Sequence, residues 1–382
     1  MSLYLDYNAS APIDLRVLDV MIDVYRNAIG NADSRTHSFG ENTRSIVENA
    51  RQQVAKLLDV KKDEVFFTSG ATESNNIAIQ GLRDYALMNN RTHIITSSIE
   101  HKAVLETVKA MGAEGFETTF INPNKSGRVD ADQIFLQIKT NTLLVSLMHV
   151  NNETGIIQPI KEVGEYCSKN NVFFHIDATQ SCGKLVDEIR DTQYDMLSFS
   201  SHKMGGPQGV GVLILRRKHY KLPPVKSIYY GGQQEHGIRP GTIPVALVAG
   251  CGQACELAMS EYRSTVQKCK QIKSIILQTF RESGLPFSVN GDPEYCISNT
   301  LNICIQGVSS EALMLATKNY CSVSNGSACT SNSYSPSYVL QAMGISDEDI
   351  ESSIRISWGS CTNENELISS LAQMLNIAKG MI

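Results

Sequence analysis

The sequence predicts an α/β fold, a mostly parallel sheet covered by helices on both faces and joined to a smaller α+β domain. Three observations predict it. From about Glu64 to Leu215, short β-rich runs alternate with helix-like segments. The runs are continuously apolar rather than alternating, as expected of strands buried on both faces. After about Val245 the pattern changes to long helical stretches.

In chain order the predicted strands are Val65–Thr68, His93–Thr96, Leu143–Met148, Val172–Ile176, Met196–Phe199 and Val210–Leu215. Ala246–Met259 and Val266–Phe280 read as two helices, and Asn299–Ile305 as a strand. These boundaries divide the chain into a large domain over 14–250 and a small one built from 1–13 and 251–382, because chain termini often meet.

Composition sets limits. Of 382 residues, 42% are hydrophobic and 19% charged, the balance of a globular protein able to bury a core without disulfides or metal. A net charge of −5 argues against direct, nonspecific binding to nucleic acid. The longest apolar runs are strand-length, well short of the ~20 residues that span a membrane. The N-terminus does not read as a signal peptide, so a cytoplasmic location is expected. The ten cysteines are irregularly spaced and include no Cys-x-x-Cys pair; nine read as reduced packing thiols, Cys182 and Cys361 among them.

In open α/β sheets ligands sit beyond the carboxyl ends of the strands. Thr72 and Glu73 follow the first strand, His101 the second, and Asn151 and Asn152 the third. Asp177 ends the fourth, and His202 and Lys203 close the fifth. Ser69–Asn75 opens a helix with small residues, which suits an anion and equally suits a plain helix cap; it lacks the ending of a Walker loop. Asp177 could cap a helix, ligate a metal with His175, or face the ring nitrogen of pyridoxal phosphate; no third metal ligand is evident and no metal is expected. Lys203, between a histidine and paired glycines, suits a Schiff-base lysine in a partly desolvated pocket. Cys329 lies in Ser324–Ser333, a small, polar stretch that reads as an exposed, mobile loop. That is a poor place for a structural thiol and a good one for a nucleophile that carries cargo.

Together these segments resemble the cysteine desulfurases of the NifS/IscS type, within the pyridoxal-phosphate fold-type I (aspartate aminotransferase-like), class V aminotransferase superfamily. The matching stretches are Ser69–Ser74, Glu100–Val104, His149–Gly155, Asp177–Ser181, Ser201–Lys203 and Gly326–Ser331, the last resembling the long-loop group. The resemblance runs from Tyr4 to Ser357. It implies a seven-stranded-type sheet and pyridoxal 5'-phosphate as cofactor. Lys203 would carry the cofactor and His101 would stack on its ring. Asp177 would hold the ring nitrogen's proton and Gln180 would contact the phenolic oxygen. Ala71, Thr72, Ser200 and His202 would hold the phosphate, with Thr242 reaching the phosphate of a second subunit in a homodimer. Asn152 would serve both cofactor and substrate, and Arg355 would bind the carboxylate of L-cysteine. His101 and Lys203 would move protons, and Cys329 would take the sulfur as a persulfide and pass it to an acceptor protein.

The sequence departs from the housekeeping pattern at Ser357-Trp358-Gly359-Ser360-Cys361, at Met204-Gly205-Gly206-Pro207, and in ending soon after, at Ile382. These changes resemble the desulfurases that serve DNA phosphorothioation, rather than those that load an iron–sulfur scaffold or supply tRNA thiolation. An aminotransferase shares most of the cofactor site but has no need of Cys329. A selenocysteine lyase needs a similar cysteine and stands as the alternative.

Overall fold

The computed structural model describes residues 2–326 and 336–382. Its strands are β1 (Leu3–Tyr4), β2 (Val65–Thr68), β3 (His93–Ser97), β4 (Glu117–Ile121), β5 (Thr142–Met148) and β6 (Phe173–Asp177). They continue with β7 (Met196–Ser200), β8 (Gly211–Leu215), β9 (Phe287–Val289), β10 (Thr300–Ile305), β11 (Cys321–Ser322) and β12 (Ser353–Ser357). Seven form one sheet in the order β2-β8-β7-β6-β5-β3-β4. All neighbours are parallel except β8, which runs antiparallel to both β2 and β7. The carboxyl ends of β2, β3, β5, β6 and β7 therefore lie along one edge, as the expected convergence of polar residues requires.

Every residue of β5, β7 and β8 is buried, so a continuously apolar run is the arrangement that helices on both faces demand. One core holds Val145, Ile176, Phe199 and Val212 and another holds Phe66, Ile94, Leu144 and Leu213, one on each face of the sheet. β4 is absent from the predicted strands. It sits at the sheet edge with only Ile121 buried, so it lacks the apolar signature of its neighbours.

The second half differs from expectation in one respect. Val245–Ser283 is a single helix of 39 residues, where the sequence suggested two. The polar stretch Ser260–Thr265 that suggested a break is where the helix passes from one core to the next. Its first turns bury Val248, Cys251 and Cys255 in the core on one face of the seven-stranded sheet, and its last turns bury Ile272, Ile276 and Phe280 in a separate core. That core also holds Leu5, Ile303, Ile356 and Trp358, packed on the antiparallel sheet β12-β10-β9 and on the parallel pair β1-β11. The first residues thus pack with the last third of the chain. Among the described residues no helix is long and apolar enough to cross a membrane.

Arg51, in the helix Ser38–Leu58, is almost fully buried and meets Glu235 through two hydrogen bonds of 2.8 and 2.7 Å. Glu235 has a left-handed backbone (φ 48°) and also accepts the Phe67 N–H of β2. The pair pins the 233–237 turn to the sheet. Arg51→Ala should leave the Glu235 carboxylate buried without its cation and cost about 3–5 kcal/mol, read as a lower denaturant midpoint than the parent's.

Candidate active site

The site is built on strand ends. Asp177 closes β6 and is 4% exposed, so its carboxylate needs donors. Asn75 Nδ2 and the Thr179 N–H supply them at 2.8 and 2.9 Å, one on each oxygen. Asn75 lies one helical turn past Thr72 in the helix Ala71–Gln80, so that helix presents the donor as well as its N-terminus. At that N-terminus the Ala71 N–H donates to Ser200 Oγ at 2.7 Å, which directs the hydroxyl proton onward. Gly211 allows this contact: a Cβ there would stand 2.5 Å from the Gly70 backbone. Glu73, in the first turn, would oppose an anion, but its carboxylate is held by Arg239 at 3.1 Å and by the Ser69 N–H.

Lys203 follows β7 on a single turn of 3-10 helix, Ser201–Lys203. Its Nζ donates to the carbonyls of Asn8 and Ala9 at 2.5 and 2.8 Å. Asn8 is the junction of the site. Its carbonyl also accepts from Gln180 Nε2 at 3.0 Å, and its side chain donates to the Asn152 carbonyl at 3.2 Å. That same Asn152 carbonyl accepts from Arg355 Nη1 at 3.0 Å, while Arg355 Nη2 meets Asp6 at 2.6 Å. Lys203, Gln180, Asn152 and Arg355 are thereby joined through the first eight residues.

His101 caps the helix Lys102–Ala113. The Ala103 N–H donates to its Nδ1 at 3.1 Å, so the neutral ring carries its proton on Nε2. Burial lowers its pKa, Asp177 opposes that, and Lys203 and Lys102 reinforce it. His202 is brought down to about 4 by burial and by neighbouring Lys203. Both rings are neutral near pH 7, able to stack, donate or accept.

His175 spends one ring nitrogen on Ser146 and the other on Ser198, at 2.8 and 2.9 Å, and burial takes its pKa down to about 4. Among the described residues no cluster of His, Cys, Asp or Glu could hold a metal.

Pyridoxal phosphate fits the residues present. Asn75 Oδ1, Asn152 Oδ1, Thr179 Oγ1, Gln180 Oε1 and Arg355 Nε are buried atoms without a hydrogen-bond partner among the described residues. Buried polar groups are ordinarily satisfied, and these gather around Asp177 and Asn8. The donor set combines an amine, a carboxylate for a pyridinium proton, a neutral imidazole, and a helix N-terminus with a serine for a phosphate.

Two expected residues are not joined to these. Cys329 lies outside the described residues. Thr242 is exposed, beyond the Arg239–Glu73 ion pair, and makes no hydrogen bond to the others among the described residues. Thr72 is exposed at the helix start. The Cys361 expectation is corrected: it is exposed, with Sγ 3.3 Å from Tyr7 Oη, because Trp358 takes the buried position. Cys182 is buried, and burial pushes its pKa well up. A cavity of about 620 Å³ lies beside Lys203, bounded by Tyr7, Lys184, Leu257, Trp358 and Cys361; its lining does not include His101, Asp177 or Arg355. Asn8, Asp6 and Asn75 were missed as site residues. Asn75 had a usable signal in its one-turn spacing from Thr72, whereas Asp6 and Asn8 act across 349 and 144–195 positions respectively.

The family model for "Aminotransferase class-V" matches residues 3–370. The chain is 42% identical to the cysteine desulfurase IscS of Photorhabdus laumondii, over 96% of this chain and 90% of the relative. A solved NifS-like protein superposes with a TM-score of 0.91 at 32% identity, covering 100% of both chains. DndA from Streptomyces lividans gives a TM-score of 0.81 at 39% identity, covering 91% of this chain and 97% of DndA. The chain belongs to the class-V aminotransferase family. Within it, the protein is a pyridoxal-phosphate-dependent enzyme of the cysteine desulfurase group.

Beside His101, Glu100 is fully buried. Its Oε1 accepts from Ser97 Oγ and the Met148 N–H at 2.5 and 3.0 Å, and its Oε2 has no partner. Burial raises its pKa from 4.5 to about 8. The folded state then binds a proton that the unfolded chain releases above pH 4.5, so this group's contribution to stability declines as pH rises from 4.5 toward 8. Glu100→Gln should flatten that decline, checked by unfolding midpoints of parent and variant near both ends of the window.

Proposed function

We propose that the protein converts L-cysteine to L-alanine, takes the sulfur on Cys329 as a persulfide, and hands it to an acceptor protein. The observation that carries this reading is the placement of Lys203, Asp177 and His101 at the carboxyl ends of β7, β6 and β3, with Lys203 linked through Asn8 and the Asn152 carbonyl to the buried guanidinium of Arg355. Bound pyridoxal phosphate supplies the electron sink that lets the substrate's Cα proton leave. The residues do the rest. Asp177 would hold the proton of the ring nitrogen. The turn at Ala71, Ser200 and His202 would hold the phosphate, with Thr72 and, from a second subunit of a homodimer, Thr242. Gln180 would contact the phenolic oxygen. Arg355 and Asn152 hold the substrate carboxylate, for which a guanidinium fork is suited. Lys203 moves the Cα proton, and His101, neutral with its proton on Nε2, exchanges protons with the substrate.

The Cys329 thiolate attacks the substrate sulfur. An S–S bond forms, the substrate's Cβ–S bond breaks, and protonation of the carbon product gives alanine, so one cysteine and one thiol become one alanine and one persulfide. The large domain, 14–250, holds the cofactor, and 1–13 with 251–382 bring Arg355 and the Cys329 segment to it. The departures at Trp358–Cys361 and the 39% identity to DndA support a phosphorothioation-type acceptor, in the cytoplasm.

L-Cysteine labelled in its sulfur should leave protein-bound label that a reductant releases. Cys329→Ala and Lys203→Ala should each take none; equal label on parent and Cys329→Ala would sink the persulfide reading. For the acceptor, label should pass from the loaded enzyme to a purified phosphorothioation-system protein and not to an iron–sulfur scaffold. The reverse preference would overturn that assignment.

A further inference from the structure

Glu153 has no task in the site just described, yet it is a carboxylate only 2% exposed. Its Oε2 accepts the Ser337 hydroxyl at 2.5 Å. The same hydroxyl accepts the Leu340 N–H at 3.1 Å and so starts the helix Tyr338–Ala342. On the other side stands Gly326, with a left-handed backbone (φ +84°); a Cβ there would lie 2.9 Å from the same Oε2. One buried oxygen therefore meets the chain both before and after Cys329.

The surroundings tie those two points to the chemistry. Two residues before Gly326, Ser324 exchanges backbone hydrogen bonds with Arg355, at 2.5 and 3.2 Å. One residue after Ser337, the Tyr338 hydroxyl donates to the carbonyl of Glu100, the neighbour of His101, at 2.7 Å. Glu153 itself is held from behind: its N–H donates to Asn151 Oδ1 at 2.9 Å and its carbonyl accepts from Asn302 Nδ2 at 3.2 Å. Chain length supplies the consequence. Cys329 is three residues beyond Gly326, so its Cα can stand at most about 11 Å from Gly326, at ~3.6 Å per residue. The position of Gly326 decides what the thiol can approach. Fixing the far end as well lowers the entropy lost when sulfur and thiol meet.

We infer that Glu153 is a positioning residue for sulfur transfer: its carboxylate sets the two anchor points of the Cys329 segment, Gly326 and Ser337, beside Arg355 and His101. The inference rests on the desulfurase reading and adds a residue to it. Glu153 touches neither Lys203 nor Asp177, so its loss should slow the arrival of sulfur on Cys329 and leave the cofactor's response to substrate alone.

The test uses the cofactor-loaded enzyme in single turnovers with sulfur-labelled L-cysteine. Two readouts are followed: the change in the cofactor's visible absorption on adding substrate, and label on Cys329. Glu153→Ala should slow labelling by about tenfold or more while the absorption change keeps the parent's rate and concentration dependence. Glu153→Gln, which still offers Ser337 an acceptor, should stay within about threefold of the parent. Ser337→Ala should be slow and Ser337→Thr restored, and this pair decides alone if Glu153→Ala fails to fold. Labelling at the parent's rate in both alanine variants would overturn the inference. So would an absorption change that falls in step with the label, since Glu153 would then serve the cofactor site. A parent that takes no label removes the desulfurase reading, and this inference with it, before any variant is compared.

Discussion

Arg355 is a cation taken almost wholly out of water, and several parts of the molecule are arranged to make that tolerable. Its charge is met by Asp6 from the first strand region, one N–H is taken by the carbonyl of Asn152 beyond β5, and its backbone pairs with Ser324. A buried guanidinium with fewer partners would be strongly destabilising, so the N-terminal segment, the β5 turn and the root of the Cys329 segment are held in one relative position. Asn8 extends the same junction to Lys203, Gln180 and the Ser357 hydroxyl. The Nε of Arg355 is left without a hydrogen-bond partner among the described residues.

Burial works in opposite directions on the two kinds of titratable group around this junction. Desolvation disfavours charge, so it lowers His101, His175 and His202 and raises Glu100 and Glu153. The imidazoles are thereby neutral, suited to stacking and to proton exchange. Glu100 stays protonated over much of the physiological range and adds no negative charge next to Asp177. Glu73, in the first turn of the helix Ala71–Gln80, is compensated by Arg239. Asp177, at the end of β6, is given a donor on each carboxylate oxygen.

What was legible in the sequence follows from locality. The buried strands announce themselves because a strand covered on both faces is rich in apolar residues along its whole length rather than at alternate positions, and six of the seven strands of the large sheet carry such a run. β4 does not, because an edge strand needs no such run. The helix Val245–Ser283 was read as two because its middle is polar, and its middle is polar because it crosses between two cores. Cys361 was read as a packing thiol because most cysteines are; Trp358, three residues earlier, occupies the buried place instead.

By itself, the sequence determined which residue types stand at the ends of which strands: a lysine, an aspartate and a histidine behind apolar runs, and a small-residue turn opening a helix. These are short-range patterns, set by periodicities of two and 3.6 residues and by the chemistry of each side chain. Only the tertiary structure decided that Asp6 meets Arg355 across 349 positions, and that Glu153 meets Ser337 across 184. It also decided that the Asn8 carbonyl gathers Lys203 and Gln180. Such pairings arise when two cores and a long helix close on one another. No local pattern records them, because each partner is an ordinary residue until the fold removes it from water.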